Sequence, residues 1–427
     1  MIVLFDQFVK TFGEENKREK NFYIRLGIED SSEVNMPLYV VEDVNIEEKF
    51  GKGYVECDIS LRDKAGAVLN SKPIQGNYNF FLWIGKSREN YREYTLKLNK
   101  VKFDNMSLGE MDDFRITLKL ISSYWEDMIS KRSVKAWRNS TCSDVVQNIL
   151  DEVGIQDSFV EQTTKQKERL VFPYFTNHEI LDYIKHDFKP ETNDSFYICG
   201  PTHDGFIFSS FDKLIDKPLE GIFEREPQDP RRFRVSGDII SEFENKKDDA
   251  LKVQDFRVIH PFVETMRSGA SGIQSGFYSF IGDTYQTFSK TFADSDERQL
   301  SDWSFIPSDQ VSADHFVFDE RSQSNEDDVV KELSRKNNNM QNVIIAITGT
   351  TDIHIGELVD VLIPINPLYF EDLKYNEFYN GKYIVTGRKT VIDMQTSFAR
   401  TVFSLSRQGI NGIALDGLED SSTGKVV

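Results

Sequence analysis

Apolar residues fall at every second position over several stretches of this chain, the spacing of half-buried strands. Towards the C-terminus, Val359, Val361 and Ile363 share one face, with Asp360 between the first two. Tyr383 and Val385 repeat the pattern, and so do Phe403 and Leu405. The spacing predicts three closing strands, over 356–364, 381–387 and 400–406. Earlier, Phe114, Ile116, Leu118 and Leu120 alternate with polar residues and form the cleanest strand. Residues 54–61 and 79–84 are further strand candidates. Residues 94–98 alternate as well, but the phase changes at Asn99 and Lys100 before Val101 and Phe103. A phase change inside a strand predicts a bulge or bend. The polar link 104–113 joins these two strands as a long hairpin.

The period changes between 126 and 217. Thr141 can cap a helix, with Asp144 near its positive end. Val145, Val146, Ile149, Leu150 and Val153 then form a stripe at helical spacing, and Gly154 stops it. Thr176 and Glu179 form a capping box, and Ile180, Leu181 and Ile184 supply the buried side of the helix that follows. Residues 196–199 and 205–208 read as a hairpin turning at 202–204. This stretch is a small α/β unit.

Residues 218–260 contain a Pro-rich basic turn at 226–234 and mixed strands. Residues 261–325 read as an excursion from the surrounding sheet, with a Gly/Ser-rich run at 268–276 and an aromatic run at 277–280. A helix is expected from 324 on, carrying Val329, Val330 and Leu333. A strand follows at 343–347. Residues 94–121 and 382–406 each give a strand, a polar link and an alternating strand. They are two copies of one β module, or two amphipathic hairpins that share a shape.

The chain has 427 residues, 39% hydrophobic and 28% charged, enough to bury the cores of several domains. Its 33 Phe against 4 Trp favour pleated surfaces and subunit contacts. The net charge of −19 argues against stable phosphate binding. It reads first as solubility, and also fits a surface that DNA must pass without sticking. Cys57, Cys142 and Cys199 are widely spaced and imply neither a zinc knuckle nor a disulfide framework. The first residues lack the features of a cleaved signal peptide, so synthesis in a cytoplasm without such export is expected. No run is apolar enough to span a bilayer.

No cluster carries chemistry. The histidines at 178, 186, 203, 260, 315 and 354 form no zinc motif and read as solvated or capping residues. The acidic pairs at 112–113, 248–249 and 327–328 lie in links or helix starts, where acids are favoured without catalysis. No phosphate loop or nucleophile elbow occurs. Catalytic residues, cofactors and metals are therefore expected to be absent. Arg231, Arg232 and Arg234 form the one dense basic spot, a candidate contact with an acidic neighbour or a solvated turn. The tail 409–427, with Gly409, Ile410 and Leu415, is a candidate contact with a partner or a loose terminus.

Several runs resemble a known family. KRSVKAW at 131–137 and NSTCSDVVQNIL at 139–150 look like the start of the α/β domain in baseplate hub proteins of contractile-tailed phages. GTTDIHIG at 349–356 and GKYIV at 381–385 are similar to the closing β module of that family, and FYSFIGDTYQTFSKTF at 277–292 looks like a hub segment. Type VI secretion spike proteins contain a related module. The resemblance in domain order covers most of 1–408.

The resemblance implies a mainly β fold with an α+β insertion: two tube-like β-barrel or sandwich domains plus a small α/β domain. The expected divisions are 1–125 for the first tube-like domain and 126–217 for the α/β domain. The second tube-like domain would take 218–260 and 326–408, with 261–325 as an insertion and 409–427 as a tail. It implies a homotrimer forming a pseudo-hexameric ring that adapts a six-fold tube to a three-fold spike. Expected partners are the tail tube protein, a separate central spike protein, and other baseplate and tape-measure proteins. DNA would be met in passage, with no stable membrane binding. The location would be the virion's tail baseplate, assembled in the bacterial cytoplasm. The alternatives are the hub of a type VI or other contractile injection system, a tail-associated cell-wall hydrolase, and a carbohydrate-binding tail module.

Overall fold

Strands that bury one face need partners on both edges, and this chain meets that need with one continuous sheet of 13 strands. The computed structural model describes residues 2–11, 20–29, 40–64, 78–85, 91–105, 113–188, 190, 196–202, 205–216, 231–235, 251–259, 272–279, 284–291, 303–304, 313–317, 341–349, 353–363, 379–394, 398–407 and 409–410. The fold is mainly β, with a few short helices and several small sheets beside the large one.

Seven strands come from the N-terminal stretch: β1 (Ile2–Thr11), β2 (Lys20–Glu29), β3 (Val40–Lys49), β4 (Glu56–Lys64), β5 (Asn79–Gly85), β6 (Tyr91–Asn105) and β7 (Asp113–Ser122). They lie in the order β1-β2-β5-β6-β7-β4-β3, each pair antiparallel. The clean alternation in β7 places Ile116, Leu118 and Leu120 in a core with Ile59, Phe80 and Leu82. The β6–β7 register slips between Leu98 and Lys100, the bulge that the phase change predicts.

An α/β unit follows. It comprises α1 (Trp125–Ser130), β8 (Ser133–Ser140), α2 (Cys142–Val153), β9 (Ser158–Val160), β10 (Lys167–Phe175), α3 (Asn177–Asp187), β11 (Tyr197–Thr202), β12 (Gly205–Ser210) and α4 (Phe211–Asp216). The predicted caps are present. Thr141 and Asp144 form a reciprocal capping box on α2, and Thr176 and Glu179 form one on α3. Gly154 ends α2 in the left-handed conformation at φ 85°, where a side chain would be strained. Val145, Val146, Ile149 and Leu150 meet Ile180, Leu181 and Ile184 in a second core. The sheet order is β11-β12-β9, and β8 and β10 form a separate two-stranded ribbon.

The third group contains β13 (Arg231–Val235), β14 (Leu251–Ile259), β19 (Gln341–Thr348), β20 (Leu358–Leu362), β21 (Gly381–Asp393) and β22 (Phe398–Arg407). The order β21-β20-β13-β14-β19-β22 returns to β21 through the β21–β22 pairing, so these six strands close on themselves. Val359, Val361, Tyr383, Val385, Phe403 and Leu405 fill the centre, as their alternation predicts. The basic turn expected at 226–234 gives way to a strand at 231–235. Its backbone is paired on one edge with β14 and on the other with β20, both parallel.

Between β14 and β19 lie β15 (Gly272–Ser279), β16 (Thr284–Thr291) and β18 (Ala313–Val317), a small sheet in the order β16-β15-β18. The two-residue strands β17 (Trp303–Ser304) and β23 (Gly409–Ile410) pair with each other. The helix expected from 324 lies outside the described residues.

Candidate functional site at the junction of the units

The described residues converge on a junction between the two β units and the α/β unit. It begins in β3, where Val44, Ile46 and Glu48 share the inward parity and all are buried. In β21, Arg388, Thr390 and Ile392 do the same. The two strands pair antiparallel from Gly387 opposite Lys49 to Asp393 opposite Asp43. This pairing sets Glu48 directly across from Arg388.

Both side chains are almost fully enclosed, at 1% and 5% exposure. Arg388 Nη1 lies 3.6 Å from Glu48 Oε2. Tyr94 of β6 donates its hydroxyl hydrogen to Glu48 Oε1 at 3.0 Å. Arg388 also donates to the Ile353 carbonyl at 3.4 Å and to Thr390 Oγ1 at 3.5 Å. Burial first, and then the Glu48 charge, push the Tyr94 phenol well above its ordinary pKa. A buried ion pair is a weak source of net stability, but removing one member strands the other. The pair therefore fixes which rung of β3 meets which rung of β21.

The turn after β3 brings in the α/β unit. The Phe50 N–H donates to the Thr386 carbonyl at 3.0 Å, and the Gly51 N–H donates to the Cys199 carbonyl at 3.2 Å. The Phe50 ring packs against the core of the closed six-stranded group and also against a smaller cluster. That cluster joins Phe196, Ile198, Phe211 and Leu214 of the α/β unit to Leu358 and Ile384 of β20 and β21. One aromatic side chain thus touches the closing strands and the α/β unit. Burial holds the Cys199 thiol up at about 11, so it is no nucleophile at neutral pH.

Close by, Trp125 of α1 lies over Gly53, where an added Cβ would collide with the indole. The same indole meets Tyr54 at 4.6 Å and the edge of His178 at 4.7 Å. Burial lowers the His178 pKa. The expectation of solvated or capping histidines fails at His354, which is 1% exposed. Its backbone N–H donates to Glu357 Oε1 at 3.1 Å, and its ring Nε2 lies 3.9 Å from the same oxygen. His203 and His260 lie outside the described residues.

A cleft of about 900 Å³ runs between the β5–β6 end and the end of α2. Glu93, Lys97, Ser122, Asp127 and Asp157 line it beside Tyr94 and Ile155. Among the described residues, no three His, Cys, Asp or Glu side chains come together to hold a metal. The acidic pairs at 248–249 and 327–328 lie outside those residues, as does Asp112, while Asp113 opens β7.

The candidate contact residues are scattered. Arg231, Arg232 and Arg234 lie in β13 opposite Val359, Asp360 and Leu362 of β20. Gly409 and Ile410 pair with Ser304 and Trp303 within the same chain. Leu415 lies outside the described residues. The sequence patterns miss Glu48 and Arg388, since they predict no strand at 40–49 and the strand over 381–387 stops short of Arg388. A charge on the apolar parity of a strand is the signal that could find them, but nothing local announces that the two strands pair.

No family model matches the chain, and no curated protein matches its sequence. Solved structures do match. The tail protein from Neisseria meningitidis MC58 superposes with a TM-score of 0.56 at 10% identity, over 87% of this chain and 93% of that one. The 43 kDa tail protein of prophage MuSo2 from Shewanella oneidensis gives 0.53 at 11% identity, over 87% and 95%. The chain has the fold of these phage tail proteins, and at this identity the likeness is one of fold alone.

Proposed function

We propose that this chain, built on the fold of phage tail proteins, is the structural hub of a contractile phage tail. Three copies would form a ring in which each contributes two tube-like places. One would be the N-terminal seven-stranded sheet and the other the closed six-stranded group. The ring would join a six-fold tube to a three-fold spike and line the genome channel. The divisions would be 1–125, 126–217, 218–260 with 326–408, the insertion 261–325 and the tail 409–427. The tube protein, a separate spike and other baseplate or tape-measure proteins would be its partners. Its site would be the tail baseplate, after assembly in the bacterial cytoplasm. Arg231, Arg232, Arg234 and the tail from Gly409 through Ile410 to Leu415 would meet neighbours. DNA would pass an acidic wall without retention, since few counterions are released where phosphates find no cations. No catalysis is assigned.

The observation that carries this reading is the edge-to-edge fusion of two β units through β3 and β21. A ring of β units needs this kind of side-by-side contact, and here it is supplied within one chain. Mass measurement and electron microscopy of the purified chain, with and without its spike partner, test the proposal. A three-fold ring with six similar lobes is expected. A chain that stays monomeric with the spike present would sink it. Clearing of peptidoglycan in a zymogram would move the assignment to a tail-associated hydrolase.

A further inference from the structure

The β8–β10 ribbon has two faces of different use. Its inner face, with Trp137, Leu170 and Phe172, packs against the α/β core. Its outer face is apolar and open. Val134 is 71% exposed, Val171 43% and Tyr174 66%, while Ala136 and Pro173 are exposed as well. Val171 lies directly opposite Ala136, so these side chains form one continuous patch.

Two further features mark the patch. One is strain: Tyr174 sits at φ 62°, within the register slip between Phe172 and Phe175. A bulky residue in the left-handed region is a true outlier, and bulges serve to re-aim a side chain. Arg132 Nη1 donates to the Tyr174 carbonyl at 3.2 Å and holds the backbone in place. The other is charge: Arg138 and Arg169 are directly opposite each other and both are exposed. Like charges in that position repel. Neither faces a carboxylate in an ion pair among the described residues.

We infer that this outer face is the contact by which one copy of the chain grips an acidic surface of the next copy. The inference rests on the hub reading above and names the surface that would build its trimer. Three considerations select the occupant. The chain has 70 acidic residues against 51 basic ones, yet Glu168 is the only acid in 131–138 and 165–169. Lys131, Arg132 and Lys135 are each paired with a nearby carboxylate, Asp127, Glu179 and Glu152, so Arg138 and Arg169 are the outward cations that a more acidic surface would meet. An exposed tyrosine beside arginines has the composition of a protein interface core, whereas a phosphate backbone would be met by a longer row of cations. Finally, two such faces would bring arginine pairs against each other, which disfavours a two-fold contact of ribbon on ribbon. The contact is heterologous, ribbon to acidic surface, and a heterologous contact that closes makes a ring.

The test uses the full chain. Arg138→Glu with Arg169→Glu should raise the trimer dissociation constant by about 100-fold, measured by sedimentation. Tyr174→Asn keeps a residue that tolerates the left-handed region. It should weaken the trimer by about 10-fold while leaving the thermal transition of the monomer in place. Benzophenone crosslinking from position 174 should reach an acidic segment of a second copy. A trimer with an unchanged dissociation constant in both variants overturns the contact and leaves the hub reading standing. So does a crosslink confined to the same chain or to added tube protein. Binding of a short DNA duplex or an anionic vesicle that the arginine variant abolishes, with the trimer intact, also overturns it. A wild-type chain that never associates removes the hub reading and the contact together.

Discussion

The two β units bury similar side chains and finish their sheets in different ways. Each contains a long hairpin with one bulge: β6–β7 slips between Leu98 and Lys100, and β21–β22 between Val385 and Gly387. The N-terminal unit continues outward through β5 and β2 to β1. The C-terminal unit bends back and closes β22 onto β21. The charges are divided as well. The first unit contributes the buried carboxylate, Glu48, and the second the buried guanidinium, Arg388. Each unit is left with an uncompensated interior charge unless it has its partner. Similar hairpins can therefore be made non-interchangeable by a single polar pair at the seam.

The largest expected effect breaks that seam. Arg388→Ala leaves Glu48 enclosed without its cation and should cost about 3–5 kcal/mol in denaturant unfolding. Combining Arg388→Met with Glu48→Gln should recover most of the loss, and a double-mutant cycle will read the coupling. Additive losses would show that the pair does not join the units.

Next come the two cores. Leu118→Ala and Leu405→Ala each empty a fully buried site and should cost about 2–5 kcal/mol. Because β3 and β21 make one sheet, either change should shift a single shared transition. Two separate melting steps would show units that fold independently.

A smaller effect contrasts the all-β units with the capped helices between them. Thr141→Ala and Thr176→Ala should each cost about 1 kcal/mol. Asp144 and Glu179 are held below their ordinary pKa, chiefly by the backbone N–H groups of Thr141 and Thr176. A depressed carboxyl pKa gives stability that is present above the unfolded value, near 4, and lost as pH falls below it. Asp144→Asn should flatten the acid limb of the stability profile.

The smallest effect is at His178, whose pKa burial lowers. Stability at the Trp125 contact should decline as pH falls from about 6.5. Nuclear magnetic resonance titration of the imidazole will check the direction.

Strands and caps were legible where a local pattern determines them. The inward faces at 116–120 and 359–361, the bulge beside Asn99 and both capping boxes follow from spacing within a few residues. The junction was not, because its members come from positions 48, 94 and 388, and pairing partners leave no trace in local periodicity. The β8–β10 ribbon escaped for another reason. Its outer face is apolar where a solvated strand would be polar, and Pro173 interrupts the strand pattern of 167–175. His354 escaped because its burial depends on the closure of six distant strands. Arg231, Arg232 and Arg234 looked like a turn, since a short strand fixed by pairing on both edges needs little pattern of its own.

β21 runs for 13 residues and carries rungs to both units at once. Mechanically it acts as a shared spar. A pull between the units is not taken up by a hinge, but is spread over the rungs from Gly387 to Asp393, which yield together or not at all. The junction should behave as a stiff splice with a high, all-or-none rupture force, so that strain arriving at one unit is handed on to the other undiminished.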